Sequence, residues 1–469
     1  MYQCPNCGGN LKFDVPSQQL SCEFCHTGID PYRFHKQKDA EENTYYEATI
    51  FTCPQCGGEL LSADTDATAF CSFCGASTIL DSRISRERRP GYIIPFTKTK
   101  EDCKRAYSAM MKRAVFAPKE LKDEKFIDSF RGIYMPYWCY HISQKNSLCL
   151  AGHTENRRGD YIVKDHYTLR GELEADYKGL SYDASSSFDD SISEKIAPYD
   201  VKGMKPFTPS FLCGFYADIA DVDKTVYQPE AEAAASLASI DRICSTPEFR
   251  SYHPDRSQLS PASLGTRCEA VDGAMFPVWF LSYRSKDRVA YATVNGQTGK
   301  VIADIPVDPK KYVIGSLLLA LPIFLLLNLF LILTPGKLLI ASAVLALIST
   351  VIYGAEFAQI ARKESGLDDK GQQYRKRYFG TAETGRAAAD TGPSYNLWTK
   401  PGFWCALASF AAAAAVFILN PASDLIFYGA AILSLAAVLI SLLDVIKYYN
   451  VLSTRRLPQF DKQGGDDRA

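Results

Sequence analysis

Eight cysteines within the first 74 residues fall into four Cys-x-x-Cys pairs, a clustering that supplies ligands for metal rather than a disulfide framework. Cys4-Pro-Asn-Cys7-Gly-Gly is followed by Cys22-Glu-Phe-Cys25, and Cys53-Pro-Gln-Cys56-Gly-Gly by Cys71-Ser-Phe-Cys74-Gly. Fourteen residues separate the inner cysteines of each unit, and the whole pattern recurs 49 residues later. Two cysteines three positions apart on a tight turn can aim both sulfurs at one ion, and a following glycine accepts the backbone geometry of that turn. Two such turns set four thiolates at tetrahedral positions about 2.3 Å from zinc.

The spacing therefore predicts two Zn2+ ions, one held by Cys4, Cys7, Cys22 and Cys25, the other by Cys53, Cys56, Cys71 and Cys74. They define one zinc ribbon over residues 1–35 and a second over 50–82. Four sulfurs close the coordination shell and leave no position for water or substrate, so a structural role is expected. Each unit is poor in apolar residues and is expected to unfold without metal. One departure is His26, which stands where the other turns have glycine. His26 and His35 are read as bystanders, and the seven scattered cysteines as small buried hydrophobes.

Zinc ribbons often contact nucleic acid, which requires Lys and Arg on the contacting face. The second ribbon has neither from Phe51 to Leu80, but has Glu59, Asp64 and Asp66. The first has Lys12 and Arg33 against Asp14, Glu23 and Asp30. These modules are acidic, so protein contact is the better expectation. The Arg83, Arg86, Arg88 and Arg89 run that follows is read as a solvated hinge. Formal net charge is −1, so no polyanionic or polycationic partner is implied for the whole chain.

Residues 91–309 carry mixed charge and many aromatics, enough for an α+β domain with antiparallel sheets. Helical spacing marks Lys100–Val115 and Glu230–Ile243, and strand-like runs follow each. A faint duplication matches Pro95-Phe96-Thr97 and Pro136-Tyr137-Trp138 with Pro206-Phe207-Thr208 and Pro277-Val278-Trp279. Catalytic motifs are lacking, and Gly296-Gln-Thr-Gly299-Lys300 lacks the spacer of a phosphate loop. His141, His153, His166 and His253 are isolated in sequence and read as ordinary histidines. Ser181 to Ser193, rich in Ser and Asp, reads as a mobile loop.

Mean hydropathy is slightly negative, but apolar residues concentrate after Pro309. Tyr312–Leu333, Leu338–Ala355, Gly402–Leu419 and Leu425–Leu443 are uncharged and long enough to cross roughly 30 Å of hydrocarbon. Short links make them two helical hairpins within 312–447. The loop 360–400 holds eight Lys and Arg, and the tail 448–469 adds Arg455 and Arg456. That bias predicts a multi-pass cell-membrane protein with both termini in the cytoplasm. The N-terminus has neither the basic nor the apolar region of a cleaved signal peptide. Reduced thiols for zinc agree with a cytoplasmic location. Few polar atoms fall within the spans, and Ala411–Ala415 suits close helix packing, so an anchor is favoured over a channel.

In order along the chain, "CPNCGGNLKFD", "CPQCGGEL", "FCSFCGA", "YIIPF", "GIYMPYW", "FPVWFL" and "NGQTGKVIADIPVD" resemble a family of prokaryotic membrane proteins described as containing transcription-factor-IIB-type zinc ribbons. The resemblance runs from Met1 to about Tyr312, and more loosely over the spans. It implies work alongside stomatin/prohibitin/flotillin-type (SPFH) and phage-shock-type envelope-stress proteins, and it carries over no catalytic residue. The expectation is a non-enzymatic, membrane-anchored adaptor for protein partners, with self-association into a homo-oligomer left open. The alternatives are a membrane-tethered nucleic-acid-binding regulator and a channel or transporter subunit.

Overall fold

The structure is a computed structural model that describes residues 3–36, 45–62, 71–76, 81–330, 334–378, 401–419 and 423–458. The first ribbon is a small antiparallel sheet of β1 (Leu11–Asp14), β2 (Gln19–Cys22) and β3 (Gly28–Ile29), followed by a helix over Pro31–Lys36. Its alternation is the period of two that a pleated strand imposes. Leu11, Phe13, Leu20 and Cys22 are buried, while Lys12 and Gln19 face water.

The second ribbon is built on β4 (Tyr45–Thr52), with β5 (Glu59–Ser62) on one edge and β6 (Asp81–Arg88) on the other. Arg83, Arg86 and Arg88 thus lie in a strand, not in a hinge. The ladder needs only backbone donors and acceptors, which charged residues supply as well as apolar ones. Arg89 then donates to Phe207 O at 2.7 Å.

This ribbon is not a separate head. β5 pairs with β11 (Tyr216–Ala217), and β11 runs parallel to β8 (Arg131–Arg158). The sheet continues from β8 to β12 (Thr266–Ser285), β7 (Tyr92–Ile93) and β10 (Lys205–Pro206). β9 (Tyr161–Asp183) returns along β8 as a long hairpin, and β13 (Arg288–Asn295) returns along β12, with β14 (Val301–Ala303) beyond it. The long pairings are antiparallel. β8/β11 and β12/β7 are short parallel contacts.

Two copies of one strand–helix–strand–strand unit make this domain. The first is β7, the helix Lys100–Arg113, β8 and β9; the second is β11, the helix Gln228–Ser245, β12 and β13. A pseudo-two-fold axis passes between Met135 and Phe276, which face each other across β8/β12. Ile94 N–H donates to Met275 O and Asp218 N–H to Tyr134 O, both at 2.9 Å. Trp138 donates its indole N–H to Val222 O at 2.8 Å, and Trp279 donates to Lys98 O at 2.9 Å. Trp138 and Trp279 are therefore equivalent. The counterpart of Pro95-Phe96-Thr97, however, is Ile219-Ala220-Asp221. Pro206 and Phe207 lie at the sheet edge instead, with Phe207 against the Tyr46 ring at 5.5 Å.

The Ser/Asp stretch expected to be mobile is packed. Ser185 and Ser187 donate to Asp218 at 2.6 and 2.5 Å, and Ser186 donates to Asp221 at 2.5 Å. Asp189 then caps a helix over Asp190–Ile196. The polarity of Ser185–Ser187 reflects hydrogen bonds to Asp218 and Asp221 rather than solvation.

Among the described residues, four helices are long and apolar enough to cross a membrane: Pro309–Asn328, Pro335–Ser365, Pro401–Leu419 and Asp424–Leu452. The first ends before the expected Leu333, and residues 331–333 lie outside the described set. The second and fourth run well past Ala355 and Leu443. Small residues line their contacts: Ala343, Ala346, Ala406, Ser409, Ala413 and Ala437 are buried. Within Ala411–Ala415, only Ala413 is fully enclosed.

A polar seam joins these helices to the sheet domain. Asn450 exchanges hydrogen bonds with the Val307 backbone at 2.7 and 2.9 Å. Arg288 binds Glu364 at 2.8 Å. β15 (Arg455–Arg456) adds to β13, and Arg455 lies between Asp189 and Asp304. A helix over Lys370–Tyr378, the described part of the loop 360–400 beyond the second span, docks on the domain through Arg375–Asp221 at 3.2 Å. Residues 379–400 and 459–469 of that loop and tail lie outside the described set.

Candidate metal centres

All eight cysteines singled out by spacing converge into two groups, each with its four sulfurs within 4.8 Å of one another. In the first, Cys4–Cys25 is 3.5 Å, and Cys7–Cys22 and Cys7–Cys25 are both 3.4 Å. In the second, Cys53–Cys74 is 3.8 Å and Cys56–Cys71 is 3.7 Å. Sulfurs at about 2.3 Å from a tetrahedral ion stand about 3.8 Å apart, so the second group has that size and the first is slightly tighter.

Each pair sits on the same turn. Gly8 N–H donates to Cys4 O and Cys4 N–H to Gly9 O. Gly57, Gly75 and His26 donate in the same way to Cys53, Cys71 and Cys22. Gly8, Gly57 and Gly75 have φ of 73°, 72° and 69°. His26 takes φ 55° at the equivalent place, so the turn forms without glycine, at the steric cost of a left-handed non-glycine residue. Among the described residues, His26 belongs to neither group of clustered ligands. The imidazole of His35 lies outside the described side chains.

The clusters are electrostatically set for a cation. Hydrogen bonds from the Thr27 hydroxyl and backbone N–H lower Cys25 to about 6. Sulfur hydrogen bonds from Cys56, Cys71 and Cys74 hold Cys53 far below the ordinary thiol range. In each group one thiol is pulled down while neighbours are pushed up, Cys7 in the first and Cys56 and Cys71 in the second, and binding a divalent ion displaces the protons that remain.

Their surroundings differ. Cys7 and Cys25 are exposed, whereas all four sulfurs of the second group are enclosed. The first ribbon leans on the domain through Phe13, whose ring is 5.2 Å from Phe211, and through Tyr32 OH donating to Pro206 O at 3.0 Å. The second is embedded. Phe73 packs on Phe280 at 6.4 Å, Tyr291 OH donates to Phe73 O at 2.7 Å, and Arg284 donates to Gln55 at 2.7 Å.

The internal repeat aligns Phe24 with Phe73, each directly before the fourth cysteine of its unit. Phe73 is 1% exposed and Phe24 is 74% exposed. Reading the cysteines alone passes over this pair, although the 49-residue offset marks it. Of the scattered cysteines, Cys103, Cys139 and Cys213 are buried as expected, while Cys149 is exposed.

Comparison with known proteins adds one relative. The chain is similar to an uncharacterized protein of Bacillus subtilis (strain 168), YdjG, with 29% identity over 315 residues, spanning 66% of this chain and 91% of that protein. No family model matches the chain, and no solved structure matches it.

Proposed function

We propose that this protein is a non-enzymatic, membrane-anchored adaptor whose two Zn2+-holding ribbons bind protein partners at the cytoplasmic face. The contrast between Phe24 and Phe73 carries this reading. The second ribbon uses its knuckle phenylalanine to plug into a protein surface, that of the sheet domain. The first ribbon presents the same residue, on the same turn, to solvent. A rigid aromatic on a metal-braced turn is a low-entropy anchor for a protein surface. Zinc is favoured over other ions because it accepts four thiolates in a closed tetrahedral site. The cytoplasm suits reduced thiols and the Lys and Arg around the helix ends.

The expected partners are membrane-organising proteins of the stomatin/prohibitin/flotillin type or phage-shock-type stress proteins. A photo-crosslinking amino acid in place of Phe24, in the full chain at native abundance, tests this. The expected adduct is a protein of that kind, identified by mass spectrometry. Phe24→Ala should lose the same partner on co-purification while keeping two ions per chain. Adducts confined to nucleic acid or lipid, or unchanged partner recovery by Phe24→Ala, would refute the reading.

A further inference from the structure

Three of the six histidines meet away from both cysteine clusters, on the arm formed by β8 and β9. His153 and His166 are directly opposite in the hairpin register, with ring centroids 6.2 Å apart. His253 arrives from the other edge of β8, its ring centroid 5.6 Å from that of His153. Backbone contacts on either side of His253 fix its place: His153 N–H donates to Tyr252 O at 2.6 Å, and Asp255 N–H donates to Ala151 O at 2.8 Å. The intervening residue of β8 is Gly152, where a Cβ would stand 2.6 Å from Tyr252 O. Glycine is what admits the loop so close. His253 itself holds φ 39°, a backbone state that tertiary contacts must maintain.

His153 is the central ring; the ligand atoms of the group are not gathered within 4.8 Å of one another as those of the cysteine clusters are, but the three rings border one space. Imidazole nitrogens bind zinc at about 2.0–2.1 Å, which puts the centroids of two rings on one tetrahedral ion about 5.3 Å apart. The separations from His153 exceed that by less than about 1 Å, and the exposed His166 and His253, on opposite edges of β8, must both rotate toward His153 to share an ion. Glu155 Oε1 lies 3.5 Å from His153 Nε2, and it also pairs with Lys164 at 2.6 Å. The rings border an open groove of about 800 Å3. Imidazoles with one carboxylate suit a borderline divalent ion, and the groove leaves coordination positions open to exchange.

We propose that His153, His166 and His253 form a third metal site, for an exchangeable transition-metal ion such as Zn2+, Ni2+ or Cu2+, with Glu155 as the carboxylate donor. It is independent of the thiolate sites and of the adaptor role. The test uses the full chain in detergent with both cysteine groups loaded, dialysed against micromolar Zn2+ and then analysed for bound metal. The wild type should carry three ions per chain. His166→Ala and His253→Asn should carry two, since one ring is exposed and asparagine tolerates the left-handed backbone at position 253. With Cu2+ as the probe, the electron paramagnetic resonance spectrum of the wild type should show nitrogen hyperfine structure that both variants lose. Saturation of the wild type at two ions, or a third ion retained by both variants, overturns the proposal.

Discussion

Chelation should empty the two cysteine sites at very different rates. The first group has two of its four sulfurs, Cys7 and Cys25, in contact with solvent. The second can release its ion only when the ribbon lifts off its neighbours, which uncovers Phe51, Leu60 and Phe73, all at most 2% exposed. Each such side chain contributes about 2 kcal/mol when buried, so about 6 kcal/mol of packing must be undone before a chelator reaches the sulfurs. At one decade of rate per 1.36 kcal/mol, that is a slowing on the order of 10,000-fold. Full-length protein mixed with excess chelator and a metallochromic indicator should therefore show two phases, one ion each. Cys25→Ser should remove the fast phase and leave the sheet domain folded. Cys71→Ser should remove the slow phase and lower the melting temperature of the domain. Two ions leaving with one rate constant, or a slow phase that disappears with Cys25→Ser, would show that burial does not control release.

Three further outcomes follow from particular residues. Burial pushes Asp218 up to about 7 from an ordinary 3.8. The folded state therefore favours the protonated carboxyl. Its stabilisation is complete below about pH 4 and is lost as pH rises through 7, by about 4 kcal/mol across the window. Asp218→Asn cannot ionise, so melting curves from pH 4 to 8 should lose much of that slope, with the variant the more stable at pH 8. Gly8 and Gly75 both hold positive φ, but a Cβ at Gly8 meets open space while one at Gly75 stands 3.1 Å from Arg284 Cβ. Gly8→Ala should cost about 1–2 kcal/mol of strain in its ribbon, and Gly75→Ala clearly more, read as shifts in unfolding midpoint with metal bound. In the helical region, a Cβ at Gly402 would lie 3.0 Å from Thr350 Oγ1, so Gly402→Leu should separate the second and third spanning helices. Cysteine cross-linking between those helices, efficient in the parent chain, should fail in the variant.

The features that sequence reasoning recovers are those encoded locally. A metal knuckle is a few residues long, and its ligand types, spacing and glycine are all written within it, so Cys4 through Cys74 fall where the pattern puts them. Spanning helices are equally local, because length and hydropathy define them. What spacing cannot carry is burial. Nothing in Cys53-Pro-Gln-Cys56 says that its ribbon shares a sheet with residues 131–295, since β5/β11 and β11/β8 are pairings between distant segments. The same holds for Ser185–Ser187. Their polarity reads as solvation until Asp218 and Asp221 arrive from more than thirty residues away to accept their hydrogen bonds. His153, His166 and His253 are isolated by sequence distance, and only hairpin register and a docked loop bring them together. The duplication shows the limit most clearly. Its tryptophans match in sequence and in role because each closes the same turn of chain onto the other copy. Its first marker is misaligned because Pro206-Phe207-Thr208 matches in residue type but not in hydrogen-bonding role.

The integration of the second ribbon also connects its cysteine group to the end of the fourth apolar helix. Tyr291 donates from beneath that ribbon to Phe73 O, and its own backbone N–H reaches Asp304 at 3.4 Å. Asp304 in turn accepts from Arg455, whose guanidinium lies 5.9 Å from the centroid of the Tyr291 ring. Arg455 sits in the strand that follows directly from the last spanning helix and pairs with β13. The path from the second cysteine group to the helix end is thus four residues long, Phe73, Tyr291, Asp304 and Arg455, with the last three partly buried. A head on a flexible tether would let the ribbons act without regard to the bilayer. Here the enclosed site braces the same strands that receive the end of the fourth helix. The first site instead has Phe24 beside it at the surface. Two copies of one cysteine motif are thereby placed differently: one is packed within the sheet domain, and the other keeps its knuckle phenylalanine at the surface.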